Sequence, residues 1–327
     1  MSQHTRTKIT GIGNTLVDIL INESDQFLID LGKKKGGMTL VEHEDIVTIL
    51  SKTQNTPAVV PGGAACNTIV GVANLGGKAR FIGCKGDDDN GRLFEKELNR
   101  LQIEPVISTG SFPTGNVLSV ITPDAQRSMF TFLGASAQLD PETITPDMFQ
   151  DCAIAVIEGY LLFNPDLMMA SLKSAKAAGA LIALDLASFE VVNASRHILE
   201  DIIQHYVDIL IANEDEAFAY TGHRDEQKAL EKLSEHVKYA VLKLGANGSY
   251  VSHQNSITRI PAQLGNAPVD TTGAGDLWAA GFLFGLASGF SMEKCGKIAS
   301  ACGYEVCQVI GAQIPQAGWE RIRKLLS

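Results

Sequence analysis

Beyond residue 150 the chain alternates short apolar runs with helical patterns, and that alternation leaves few folds open to it. The runs at 153–157, 181–186, 207–211 and 239–244 are almost continuously apolar. A strand with no polar face has no side to offer to water. Such strands, separated by segments of helical period, predict an α/β fold: a mostly parallel central sheet with helices on both faces. Upstream, 8–13 and 79–83 read as further strands. Segments 66–75 and 90–101 read as helices, the first stopping at Gly76-Gly77.

Four segments break the alternation. Residues 16–21, 38–41, 117–122 and 128–132 carry strand signals, the last two flanking the turn Pro123-Asp124-Ala125-Gln126. They predict one small antiparallel sheet assembled from two excursions and projecting from the main body. The expected division is a core of 1–14, 43–107 and 134–327, with a discontinuous β lid from 15–42 and 108–133. The length, 327 residues, suits one large domain with an accessory piece or two domains.

Charge and cysteine usage narrow the partners. A formal net charge of −10 lacks the basic footprint of a nucleic-acid binder. The longest apolar stretch, 277–287, is broken by glycines and too short to span a bilayer, and 1–8 has no apolar signal core. Cys66, Cys84, Cys152, Cys295, Cys302 and Cys307 form no CxxC pair and lie in apolar segments. They are expected to be buried, reduced thiols of a cytoplasmic protein.

The strongest chemical signal is Asp270-Thr271-Thr272-Gly273-Ala274-Gly275-Asp276, which runs directly into an apolar helical segment. A glycine-rich turn at a helix N-terminus presents free N–H groups and the positive end of the helix dipole, which together bind an anion. A carboxylate beside a bound phosphate is electrostatically wasteful unless it has a task. The natural one is to take the proton of an attacking hydroxyl while the turn stabilises the transferring phosphoryl group. The bland alternative is an ordinary helix start, where Asp is also favoured.

This run resembles the C-terminal signature of the ribokinase-like (PfkB-type) carbohydrate kinases. Gly62-Gly63-Ala64-Ala65-Cys66-Asn67-Thr68, with Gly76-Gly77, Phe81-Ile82-Gly83 and Gly86-Asp87-Asp88, resembles that family's N-terminal signature, and the likeness extends over nearly the whole chain. The resemblance implies an ATP- and Mg²⁺-dependent phosphotransferase. It makes Asp276 the general base and Gly273, Ala274 and Gly275 the anion hole. Gly62 and Gly63 would approach the sugar through their backbone, Asn67 would bond a substrate hydroxyl, and Asp18 would clamp two vicinal hydroxyls. Asn14 joins this acceptor side.

Asn213-Glu214-Asp215-Glu216 resembles the family's N-x-x-E motif, which implies that Asn213 and Glu216 organise magnesium through water. Lys243, Gly245 and Gly248 fall where the nucleotide loop is expected. The resemblance also admits a monovalent cation, K⁺, beside Asp270. Gly11-Ile12-Gly13-Asn14 with Asp18, Gly36-Gly37-Met38-Thr39-Leu40 and Thr131-Phe132-Leu133-Gly134-Ala135-Ser136 look most similar to the adenosine kinase branch. Met38, Phe132 and Leu133 then either line a purine slot or pack the small sheet. Adenosine is the favoured acceptor and a free sugar such as fructose or ribose the alternative.

Two other classes compete. Gly11-Ile12-Gly13 could begin a dinucleotide fingerprint, but Leu16 occupies the place of the third glycine. A silent nucleoside-sensing protein would have no use for Asp276. An exposed lid edge leaves room for a homodimer through the lid.

Overall fold

The computed structural model describes residues 6–33, 35–124 and 126–326; residues 1–5 of the polar N-terminal segment and Ala125 of the expected turn lie outside the described residues. Nine strands form one sheet: β1 (Lys8–Ile12), β5 (Ala79–Lys85), β6 (Glu104–Thr109), β9 (Cys152–Glu158), β10 (Leu181–Asp185), β11 (Ile209–Asn213), β12 (Tyr239–Lys243), β13 (Ser249–His253) and β14 (Ser256–Ile260). Their order is β14-β13-β12-β11-β10-β9-β1-β5-β6, parallel except for the hairpin-linked β13 and β14 at one edge.

Helices cover both faces, as the apolar runs required. On one side Ile9, Phe81, Val156 and Val241 pack against α3 (Ala64–Asn74), α4 (Asp89–Arg100), α9 (Ala274–Ala287), α10 (Met292–Val306) and α11 (Gln316–Arg323). On the other, Ile12, Ile157, Leu184 and Leu210 pack against α5 (Pro165–Ala177), α6 (Phe189–Tyr206), α7 (Glu214–Thr221) and α8 (Glu226–Ser234). Neighbouring strand residues thus point to opposite cores, the two-residue period of an extended chain. Helix α9 is apolar on every side after Asp276 and buried from Leu277 to Leu283. A Cβ at Gly281 would stand 2.7 Å from Ala299 Cα, so this glycine permits the close approach of α10.

The second sheet has five strands in the order β3-β8-β7-β2-β4: β2 (Leu16–Asn22), β3 (Met38–Leu40), β4 (Ala58–Gly62), β7 (Thr114–Ile121) and β8 (Arg127–Gly134). Three corrections to the sequence reading follow. The sheet is mixed rather than antiparallel, because β2 pairs with β7 and β3 with β8 in parallel. The segment 58–62, expected in the core, is an edge strand of the lid, antiparallel to β2. The helix α2 (His43–Lys52), also expected in the core, covers the lid's outer face with α1 (Asp25–Asp30). There Leu28, Ile46 and Ile49 bury against Ile19, Ile21, Leu118, Val120 and Phe130. The lid therefore has its own small core.

Register assigns the lid's other face. Asp18 pairs with Val60 and Val117, Ser119 with Met129, Ile121 with Arg127, and Met38 with Met129. Paired residues share a face, so Asp18, Val60, Val117, Met129 and Arg127 turn away from the helices and towards the main sheet. Phe132 lies on the opposite face, its ring 5.3 Å from that of His43 on α2. It packs the lid and does not line a purine slot, whereas Met38 and Leu133 fall on the open face. Among the described residues no helix is long and apolar enough to cross a membrane.

Candidate active site

The carboxyl ends of the parallel strands gather polar side chains, as open α/β sheets do where they bind ligands. The chain leaving β1 brings Asn14, whose Nδ2 donates to Glu158 Oε1 at 2.6 Å. Glu158 ends β9 and is buried. It also accepts from the N–H groups of Asn14 at 3.3 Å and Ala65 at 3.1 Å. Burial pushes its pKa up, and the Asn14 and Ala65 bonds oppose that rise. This carboxylate ties the Asn14 turn to the first turn of α3. It drew no attention in the sequence, where a single acid ends an apolar run. Its place at the carboxyl end of a parallel strand was the available signal.

The Gly62-Gly63 pair joins β4 to α3. Gly63 sits at φ 95°, a left-handed conformation that favours glycine, and a Cβ there would collide with the Asn14 carbonyl. A side chain at Gly62 would occupy the space of the Asp18 carboxylate. The two glycines thus let β4 and the α3 start close against Asp18 and Asn14. Asp18 itself is partly buried and reaches a pKa of about 6. Burial raises it, the charge of Arg127 lowers it, and Asp270 raises it again.

One turn further along α3, Asn67 Nδ2 donates to Asp276 Oδ2 at 2.9 Å, and the Thr68 hydroxyl donates to the Asp276 carbonyl at 3.1 Å. The two signature segments therefore meet directly. Gly273 caps α9 at φ 72°, and the first turn of that helix carries Gly275 and Asp276, whose N–H groups precede the intrahelical ladder. A Cβ at Gly275 would stand 3.0 Å from Lys243 Nζ, so the missing side chain opens the turn to an ammonium below it. Asp276 is raised to about 7. Burial is the main cause, with Asp185 and Glu158 adding to it and the Asn67 bond and Lys243 opposing.

Lys243, at the end of β12, donates to Asp185 Oδ2 at 2.9 Å. Burial lowers its pKa, but the charges of Asp185, Glu216 and Asp276 outweigh that and hold the ammonium above its ordinary value. Asp185 ends β10 and was also missed in the sequence. Asn213 and Glu216 are brought to the same region, and they satisfy each other. The Asn213 N–H and Nδ2 donate to the two Glu216 oxygens at 2.8 and 2.7 Å, and the Glu216 N–H donates to Asn213 Oδ1 at 2.9 Å, a capping box that starts α7. Burial raises Glu216 to about 7, and Lys243 opposes that rise.

Gly245 is exposed in the turn after β12. Gly248, at φ 92°, packs against the backbone of Ile260–Ala262. Asp270, expected beside a monovalent cation, accepts from Arg127, Thr272 and Gly311. A cleft of about 350 Å³ separates lid from core here, lined by Arg127, Met129, Val269, Asp270 and Thr272. Among the described residues no group of three or more His, Cys, Asp or Glu side chains could hold a metal ion by itself.

What this arrangement can do is place an anion at the α9 turn and a hydroxyl against Asp276, with a lid above. The fold has counterparts among known proteins. The family model for pfkB family carbohydrate kinases matches residues 36–317. The crystal structure of an adenosine kinase from Sinorhizobium meliloti superposes with a TM-score of 0.89 at 33% identity, covering 98% of this chain and 100% of that one. A probable sugar kinase from Rhizobium etli CFN 42 gives a TM-score of 0.89 at 32% identity, with 98% of each chain covered. A nucleoside kinase from Methanocaldococcus jannaschii is 26% identical over 304 residues, which are 89% of this chain and 97% of that protein. The chain belongs to the pfkB family of carbohydrate kinases, phosphotransferases that act on the hydroxyl of a sugar or nucleoside.

Proposed function

We propose that the protein transfers the γ-phosphoryl group of ATP to the primary hydroxyl of a ribonucleoside, adenosine first among them, by direct in-line attack. The observation that carries this reading is Asp276. A carboxylate with a pKa of about 7 stands in the first turn of α9, beside the N–H groups that would receive the phosphoryl charge. A base poised near working pH is the condition for general-base catalysis. Asn67 orients the carboxylate through Oδ2, leaving the other oxygen for the acceptor hydroxyl. The turn of Gly273, Ala274 and Gly275 stabilises charge on the transferring group, with Lys243 beneath it. Asp18, Asn14, Gly62 and Gly63 hold the acceptor from the lid side. Lid closure excludes the water that would compete as nucleophile.

Kinases of this family use ATP and typically Mg²⁺. Three carboxylates, those of Asp185, Glu216 and Asp276, face the single ammonium of Lys243, and this excess of negative charge suits a divalent cation bound mainly through phosphates and water. Magnesium there would neutralise phosphate charge, with Glu216 and Asp185 as its water-mediated partners.

Adenosine is favoured by the likeness to the Sinorhizobium adenosine kinase and by the open apolar face of the lid, where Met38 is 45% exposed. The equal likeness to the probable sugar kinase supports the second reading, a free sugar such as fructose or ribose. A cytoplasmic location agrees with the free cysteines, of which all but Cys307 are buried. A homodimer through the lid would use β3 and β4, its outermost strands. The test is ADP formation with adenosine, inosine, guanosine, ribose and fructose. Turnover of adenosine above the rest is expected. Turnover confined to a free sugar would transfer the function to the second reading, and full activity in Asp276→Asn would refute the proposed base.

A further inference from the structure

The surroundings of Asp270 carry an inference about how this enzyme handles charge beside its anion turn, and it rests on the kinase reading above. Asp270 Oδ1 accepts from the Thr272 N–H and from the Thr272 hydroxyl, both at 3.0 Å. Oδ2 accepts from the Gly311 N–H at 2.7 Å and from the Arg127 guanidinium. A carboxylate offers about four lone-pair sites, and these four donors use them. The pair is nearly closed to solvent, with side-chain exposures of 11% for Arg127 and 8% for Asp270. Neither oxygen keeps a lone pair for a metal ion. The positive charge that a monovalent cation would bring is already present.

We propose that Arg127 takes the place of a monovalent cation in this enzyme, so that turnover is independent of potassium and the compensating charge is delivered by the lid. Arg127 opens β8 in the small sheet, whereas Asp270 leads into the phosphoryl-binding turn and is tied to the segment after α10, where the Val269 N–H donates to the Cys307 carbonyl at 2.7 Å. The bond therefore spans the two sheets. An uncompensated Asp270 would set a buried negative charge beside a turn that must accept a phosphoryl group. Guanidinium suits the task because it stays charged when buried and its planar fork fits a carboxylate. Arg127 acts on the reacting groups through Asp270 and the turn, which makes it a positioning residue.

The test uses the full chain with ATP, magnesium and the acceptor turned over in the panel above. ADP is read by chromatography, so that no coupling enzyme imposes its own cation requirement. Rates are compared with tetramethylammonium as the only monovalent cation and with potassium in its place. Wild type is expected to change by less than about twofold, because exchanging one monovalent cation for the other leaves the ionic strength and its screening unchanged. Arg127→Met is expected to lose about 10²-fold in kcat, as when one preorganised charge is removed from a phosphoryl site. Part of that activity should return with potassium and not with tetramethylammonium, because the bared carboxylate can then ligate the ion. A merely structural arginine would not create a selective cation requirement. Arg127→Lys, which keeps the charge, should retain more activity than Arg127→Met.

Potassium activation of the wild type would overturn the proposal. So would wild-type rates in Arg127→Met, or an Arg127→Met protein with native circular dichroism that is inactive with either cation. Should that variant fail to fold, the wild-type comparison decides. Absence of turnover on every acceptor would remove the kinase reading and this inference with it, whereas turnover that demands potassium removes this inference alone.

Discussion

Replacing Asp276 by Asn should abolish catalysis and stabilise the protein at once. The carboxylate rises from 3.8 to about 7 in the folded chain. At about 1.4 kcal/mol per unit, full burial would make that shift worth about 4 kcal/mol against the folded state above neutral pH. Asp276 is partly open to solvent, and screening reduces the figure to about 1–2 kcal/mol. The sign follows from the direction of the shift. A raised carboxylate binds its proton more tightly when folded, so the folded state loses stability as pH climbs from the unfolded value of 3.8 through about 7. Asn cannot ionise and escapes that loss, while its carbonyl can still accept from Asn67. The assay is thermal unfolding of unliganded wild type and Asp276→Asn on either side of the window. The variant should melt about 2 °C higher in mildly alkaline buffer, with the gain vanishing in acid. Its turnover should fall by roughly 10²-fold or more. A variant that is less stable in alkali, or one whose gain does not depend on pH, would refute the electrostatic account. Retained turnover would refute the base.

Three further outcomes follow from the same cluster. kcat/KM for the acceptor should fall tenfold per pH unit below about 7, as Asp276 takes up its proton, and a profile flat through mildly acid pH would contradict its role. Lys243→Met leaves Asp185, Glu216 and Asp276 facing one another with no ammonium. Urea unfolding should show a loss of about 3–5 kcal/mol, the usual cost of removing one partner of a buried ion pair, and unchanged stability would mean that water already screens the three acids. Glu158→Gln puts an amide where Asn14 and the Ala65 N–H expect a charged acceptor. It should cost about 1–3 kcal/mol of stability by chemical unfolding and raise KM for the acceptor more than it lowers kcat.

How much of this was legible depends on what a residue must satisfy locally. Strands β9 to β12 came within about two residues of their observed bounds because each is buried on both faces, and continuous apolar runs record that directly. Strand β4 was illegible for the opposite reason. Ala58-Val59-Val60-Pro61-Gly62 is short and contains the two residues least expected in a strand, which are tolerated here because β4 is an edge. Strand direction in the lid was lost as well. Whether β2 and β7 run parallel is decided by the long passage through the core between them, and neither sequence carries it. At the site, the signature segments announced Asp276, Asn67 and the glycine pair because such turns are chemically unusual. Glu158, Asp185 and Arg127 are ordinary residues made special only by the neighbours that folding supplies.

Those late-appearing residues explain why core and lid divide the work. On the proposed reading, the strand ends of the main sheet and the start of α9 hold the groups that would handle protons and phosphate charge, Asp185, Glu216, Lys243 and Asp276, with Glu158 fixing the Asn14 turn beside them. They are fixed by short bonds to one another and to backbone. The lid's inner face is mostly apolar, with Val60, Val117, Met129 and Leu133 beside the charged pair of Asp18 and Arg127. An apolar face discriminates by shape and area, so exchanges there should alter which acceptor fits while leaving the ionisation of Asp276 in place. The two lid charges do something the apolar residues cannot. Burial raises Asp18 and lowers Arg127, so each is costly to close over unless it finds its counterpart, and Arg127 finds one on each side of the cleft, Asp18 in the lid and Asp270 in the core. On the proposed reading, the charges that align the acceptor and the phosphoryl-binding turn would also favour closure.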